Sequence, residues 1–436
     1  MRKYIQIALV YLLIALLVPC TATLAANYYV RPSSGGPYGT SSGADWNNAY
    51  NGLANIDWTG KTGGDTIWIA GGTYTTGLSI GASGTNDASR LVVKRATAND
   101  TECTSAAGWV AGFDSQVISE GSGITISSRD YITIDGQVSN GIRIHIPTPG
   151  YSGVWFNYYP SNHITLRYLQ IEGKGYQVDF SAGANVGVYA TSNYGAATDL
   201  LIEHCDIKYC TSELKTGNWD NITVQYNTLH HCDATDVGTH EDVWIIHGGN
   251  NLIFRYNICY LNAAEGFFVR EDSDNLQVYG NLFYDSQYAI SVKSGIVGTN
   301  WRIYNNTVAD CSAGINISET TQTGEMANNL AYNSGFSNSS PGLTETTNIN
   351  TSTDPFVNLA GKDFHLAAAS APINAGTDLG VNYHTDLDGN VFGADGTWDV
   401  GAYEYGGAPP VLTHKPFIGS SGGLLTVGGT PAIGAN

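Results

Sequence analysis

The sequence predicts an all-β chain wound into a parallel β-solenoid, and three observations carry that expectation. First, a seven-residue segment, Asn-apolar-any-apolar-any-any-Asn, recurs as NITVQYN (Asn221 to Asn227), NLIFRYN (Asn251 to Asn257), NLQVYGN (Asn275 to Asn281) and NWRIYNN (Asn300 to Asn306), with a weaker copy ending at Asn329. Second, the closing Asn residues are 30, 24, 25 and 23 residues apart, too short for a domain and regular enough for coils of a repeat array. Third, 53 Gly, 27 Tyr and 9 Trp stand against 2 Met, and only 13% of residues are charged. That is poor material for exposed helices and too apolar for a disordered chain.

The elements follow in chain order. Arg2 and Lys3 precede the apolar run Ile5 to Val18 and a small-residue stretch, Thr23-Leu24-Ala25-Ala26, so residues 1–26 read as a secretory signal peptide. The run is short for a membrane span, and no later segment is long and apolar enough to be one. Removing 1–26 takes away two cations and no acid, so 17 Lys+Arg remain against 38 Asp+Glu and the charge becomes −21. A chain this acidic is excluded as a general nucleic-acid binder, because little would neutralise phosphates. Asp45 is placed to N-cap a short helix over Trp46 to Ile56, closing the first coil within an N-terminal cap of residues 27–77.

The coils run to residue 353. Each holds a first strand of alternating apolar residues, the ladder Asn, a second short strand, a turn, and a third strand. The third strands are VYA (Val188), EL (Leu214), VWI (Val243, Ile245), FFV (Phe267, Val269), AISV (Ile290, Val292) and GINI (Ile315, Ile317). Equivalent residues of successive coils stack about 4.8 Å apart, so a buried Asn can bond to the Asn above and below it. Five residues after the ladder lie Cys210, Cys232, Asn262, Ser286, Cys311 and Ser334, a stack of small residues at a bend. The six cysteines after residue 26 therefore read as buried small hydrophobes, although Cys210 and Cys232 on adjacent coils are open to cross-linking. Residues 354–405 form a non-repeating C-terminal cap. Residues 406–436 are a Gly/Pro-rich tail whose Val411 to Ile418 and Leu424 to Val427 offer strands for self-association.

The opening YYVRP…WNNAY…GDTIWIAGGTY, the Asn-ladder coils and the ending SAPINAGTDLG…TDLDG…DVGAYEY resemble secreted bacterial right-handed parallel β-helix proteins of the pectin-lyase-like type. The resemblance covers nearly all of residues 27–405. It implies a right-handed single-stranded parallel β-helix and a secreted or cell-surface location. That fold hosts lyases, hydrolases, epimerases and non-catalytic surface proteins. The lyases among them use Lys or Arg as base on one exposed face, often with calcium.

Alternation along the third strands predicts two outward rows: Thr191, Lys215, Ile246, Arg270, Lys293, Ser318, and Tyr189, Glu213, Trp244, Phe268, Ser291, Asn316. A cationic line beside an aromatic strip suits an acidic polysaccharide. Tyr189, Trp244 and Phe268 offer faces to sugar rings, Arg270 clamps a uronate carboxylate, and Lys215 or Lys293 acts as base for β-elimination. His247 and Glu271 fall at the adjoining turns, one a candidate catalytic group and the other a substrate contact. Asp233, Asp236, Glu241 and Asp242, with His240, crowd the long turn of the 30-residue coil and are candidate calcium ligands. Glu241, Asp242, Glu265, Glu271 and Asp272 could instead serve glycoside hydrolysis, and His240 with Asp242 an epimerase. The rival class is a non-catalytic adhesin, glycan binder or fibre unit.

Overall fold

The computed structural model describes residues 25–179, 181–232 and 241–406. Among these, three all-parallel sheets of thirteen, eleven and ten strands stack coil on coil into a parallel β-helix. The first sheet carries Ile132–Asp135, Ile164–Arg167, Ala197–Glu203, Trp219–Gln225, Ile253–Arg255, Gln277–Tyr279 and Gly298–Tyr304 in successive coils. The second follows each ladder position, for example Asp206–Lys208, Thr228–His230 and Ile258–Tyr260. The third carries Ser152–Trp155, Val186–Thr191, Ser212–Gly217, Asp242–His247, Glu265–Val269 and Tyr288–Val292. Ile, Val, Leu and Phe from all three fill one continuous interior. The signal peptide expected over residues 1–26 lies almost wholly outside the described residues, and so does the tail beyond Gly406.

The ladder holds the corner between the first and second sheets. Asn227, Asn257, Asn281, Asn306 and Asn329 are wholly buried. Each Nδ2 donates to Oδ1 of the next Asn at 2.9–3.1 Å, ending on Asn348. Each also donates to a carbonyl of the preceding coil, as from Asn281 to Phe254 O at 2.8 Å. Every ladder amide is thus satisfied from above and below, which is what makes an interior Asn tolerable. The residue before the ladder must take a left-handed conformation to turn the corner. Tyr168, His204, Tyr226 and Tyr256 do so at φ of 54–57°. That is costly for bulky side chains. Their rings offset the cost by stacking in series at 5.0, 5.3 and 5.1 Å. A second, exposed amide ladder runs along the turn that enters the first sheet, where Asn251, Asn275 and Asn300 each donate to the preceding Asn at 2.7–2.9 Å.

Two expectations are corrected. Trp46 to Ile56 is not an α-helix: Asp45 Oδ1 does accept from Asn48 N at 2.8 Å, but the chain turns at once into a two-residue strand and a 3-10 turn, Leu53–Asn55. Four Asn and a Gly in eleven residues give a helix little to propagate on. The end is closed instead by Trp46, Tyr29, Trp68 and Phe113 packed together. The six cysteines are all buried and free, so no disulfide joins Cys210 to Cys232.

Residues 354–405 clasp the outside of the coils. Phe356, Phe364, Leu366 and Tyr403 pack on Tyr260, Tyr284 and Tyr332 of the second sheet, while Tyr383, Phe392 and Trp398 cover Tyr256, Tyr279 and Tyr304 at the ladder corner. Asp386 is not a free carboxylate there: it accepts from Asp388 N, Asn390 N and Glu404 N.

Candidate active site

The third sheet presents the outward row Trp155–Tyr189–Lys215–Ile245–Phe268–Ser291–Asn316. Two residues further along the same strands, Thr191 pairs with Gly217 and Gly217 with His247. Ile246 pairs with Val269 and Val269 with Val292, so His247, Arg270 and Lys293 follow one another along the edge of the sheet. Backbone bonds from Arg270 N to Ile246 O and from Lys293 N to Val269 O extend the pairing.

This register corrects the expected one in two coils. Trp244 is wholly buried: it stacks inside between Leu214 and Phe267, and its Nε1 donates to Thr216 Oγ1 at 2.9 Å. Ile245, not Ile246, faces outward. Both VWI and WII fit an alternating pattern, and the larger ring goes where it removes most surface from water. Glu213 is also inside, beside Cys232, and burial holds its carboxyl well above the usual range, so it is a neutral acid. Trp244 is therefore removed as a sugar contact. Phe268 lies on the outward row but is only 7% exposed.

Around Lys215 the remaining groups come together. Its Nζ is 5.4 Å from the Tyr189 ring centre. Tyr189 meets Tyr158 edge-on at 5.6 Å, and Tyr158 meets Trp155 at 5.8 Å. Burial lowers the Lys215 pKa, and the neighbouring Arg270 charge lowers it further, against an opposing pull from Asp242. His247 Nδ1 lies 3.2 Å from Glu271 Oε1, and its buried Nε2 has no hydrogen-bond partner among the described residues. Burial depresses the His247 pKa, and the Lys215 and Arg270 charges add to this against the Glu271 contact, so the ring is held neutral. Lys293 is exposed, one coil beyond Arg270.

The acidic turn behaves differently. Asp233, Asp236 and His240 lie outside the described residues. Asp242 is wholly buried, its Oδ1 accepts from Glu265 N at 3.2 Å, and burial together with Glu265 pushes it to about 9. A carboxyl that keeps its proton is a poor calcium ligand, and no group of three His, Cys, Asp or Glu suited to a metal occurs among the described residues. The described residues do not fit calcium, and no step below is routed through it. Asp242 is also wholly buried, so its carboxyl is not placed to reach a sugar oxygen as one member of a glycosidase pair.

A separate polar chain on the second sheet has no counterpart in the sequence reading. Asp206 Oδ1 meets His230 Nε2 at 2.8 Å, and His230 Nδ1 meets His231 Nδ1 at 2.5 Å. Lys208 and Gln170 hold the other Asp206 oxygen at 3.2 and 3.0 Å. Although burial opposes it, the His230 hydrogen bond and the His230 and Lys208 charges hold Asp206 down to about 2. Tyr176 and Tyr209 wall the His231 ring. A pocket of about 360 Å³ on the first sheet is likewise structural: the Arg90 guanidinium in it is spent on Asp87, Thr133, Thr165 and backbone carbonyls of two coils.

No protein-family model and no curated protein matches the chain. Among solved structures it is similar to pectate lyase Pel9A, with a TM-score of 0.48 and 15% identity over 88% of this chain and 97% of that one. A rhamnogalacturonan lyase gives 0.42 and 11% over 77% and 92%. A GH136 lacto-N-biosidase from Eubacterium ramulus gives 0.36 and 11% over 73% and 66%. The winding of the chain rests on its own strand pairing, and these likenesses carry no argument about its chemistry. Among the described residues no helix is long and apolar enough to cross a membrane.

Proposed function

We propose that this parallel β-helix is an exported carbohydrate-active enzyme that cleaves a uronate-containing polysaccharide by β-elimination on its third sheet. The observation that carries the reading is the half-buried Lys215 amine, lowered in pKa, set between the Arg270 charge and an outward line of aromatic rings. The Arg270 guanidinium pairs with the uronate carboxylate and makes the adjoining C5–H bond more acidic. The Lys215 amine, in its deprotonated form, takes that proton. The C5 electron pair forms the C4=C5 double bond, and the C4–O bond breaks with its electrons going to the leaving sugar oxygen. With Nδ1–H turned to Glu271, His247 Nε2 is an acceptor and has no proton to give. The leaving oxygen is therefore protonated by the Lys215 ammonium formed in the first half, which requires proton and leaving group on one face of the ring. His247 and Glu271 then act as a fixed polar wall, with Glu271 holding the ring through Nδ1.

The test is to incubate the protein with a panel of uronate polysaccharides and follow the ultraviolet absorbance of new unsaturated sugar ends. A rise that disappears in Lys215→Ala supports elimination by this residue. A rise that survives in Lys215→Ala moves the base elsewhere. Glycan binding without any rise favours the non-catalytic alternative.

A further inference from the structure

The third sheet is divided along the helix axis by charge. Residues 146–161 and 183–198, which hold the strands of Trp155 and Tyr189 and their adjoining turns, contain no charged residue. Beyond them the outward cations begin: Lys215, then Arg270, then Lys293. On the uncharged side the exposed rings accumulate. Trp155, Tyr158 and Tyr189 run in edge contact up to Lys215. Tyr159 and Tyr194, 40% and 69% exposed, stack at 4.7 Å at the end of the same coils. From Trp155 to Lys293 is five coil steps, roughly 24 Å at about 4.8 Å each. That is room for several consecutive sugar rings.

We propose that this face binds a heteropolysaccharide in one orientation, with neutral sugars over Trp155, Tyr158 and Tyr189 and uronates at Arg270 and Lys293, Lys215 marking the junction. The proposal rests on the elimination reading above and adds the substrate class to it. A carboxylate laid over Trp155 or Tyr158 would lose water and gain no cation, which is unfavourable. A neutral pyranose in that place presents its C–H face to the ring and keeps its hydroxyls toward solvent. At the other end a neutral sugar would leave the Arg270 and Lys293 charges without partners. Opposite ends of one face thus reject opposite kinds of residue, and polarity along the chain follows.

The experiment measures binding by calorimetry with Lys215→Gln, so that turnover does not intervene. Two oligosaccharides of equal length are compared, one with a block of neutral sugars followed by a block of uronates and one all uronate. The block chain is expected to bind at least about tenfold tighter. Adding Trp155→Ala is expected to erase most of that advantage while changing all-uronate binding by less than about twofold. Equal or tighter binding of the all-uronate chain, or indifference to Trp155→Ala, overturns the proposal. The ultraviolet assay on the unmodified protein runs beside it. Oriented binding with no unsaturated ends sinks elimination and leaves the divided face standing. Ends formed equally fast from all-uronate chains sink the divided face and leave elimination standing.

Discussion

Lys215 lies directly across from Tyr189 on the neighbouring strand, its Nζ 5.4 Å from the ring centre and its other neighbour in the row the apolar Ile245. The amine is thereby kept out of bulk water on two sides while Arg270 repels its proton. Lys215→Ala is expected to lower kcat by about 10²–10⁴-fold with the far-ultraviolet circular dichroism unchanged. In the unmodified protein, kcat should rise with pH through a value below the ordinary lysine range, the direction set by burial and Arg270. Lys293→Ala, at an exposed position, should raise KM and spare kcat. A pH-independent kcat would remove Lys215 as base.

Asp206 should anchor the second sheet. Asp206→Ala strands His230 and Lys208 in a mostly buried position and is expected to cost about 3 kcal/mol in urea unfolding. Its pKa is held near 2, below the usual 3.8, so its stabilising effect is complete above about pH 4 and is lost as pH falls through 2. His231, lowered by burial and His230 to about 4 from 6.5, adds a loss as pH falls from 6.5 toward 4. Unfolding midpoints measured from pH 7 to pH 2 should fall in that range, and in Asp206→Ala the fall below pH 4 should be smaller.

Asn281 accepts from Asn257 N and Nδ2 and donates to Asn306 Oδ1 and to the carbonyls of Phe254 and Tyr279. Asn281→Ala leaves several buried groups unpaired and is expected to cost at least about 3 kcal/mol. Hydrogen exchange should quicken first in the coils of Asn257 and Asn306. Uniform exchange across all coils would mean that the ladder is not the local fastening.

His365 bridges Asp388 and Asp363 at 2.6 and 2.5 Å, and these contacts raise its pKa to about 9. A raised histidine stabilises fully below its ordinary 6.5 and loses that contribution as pH rises through 9. Limited proteolysis of residues 354–405 should therefore accelerate between pH 7 and pH 10. In His365→Asn the rate should be already high at pH 7 and flat.

The solenoid was legible because its period is written in side chains that only a stacked interior can use. Asn227 to Asn329 repeat at nearly constant spacing, and no other arrangement satisfies so many buried amides. Asn348 escaped notice because its coil is only 19 residues long. Strand phase was less legible. VWII and SELK permit two faces equally well, and only the volume available inside decides that Trp244 and Glu213 turn inward. The helix expected at Trp46 failed because a cap residue starts a helix that the following Asn and Gly cannot continue. The Asp206–His230–His231 chain was invisible for a different reason. Its members are 24 residues apart and meet only once Lys208 is paired with His230.

The interior amide ladder makes length a free variable of this molecule. Every rung sees the same donor above and the same acceptor below, so Asn281 can stand where Asn306 stood without any group losing its partner. Excising residues 282–306 removes one entire turn of the coil and rejoins chemically equivalent ends. The three sheets would each shorten by one strand and the cap would have to settle on a different rim. The natural unit of insertion and deletion in such a chain is therefore the whole turn rather than the residue, and a groove running along the axis could be lengthened or trimmed by one sugar's width at a time.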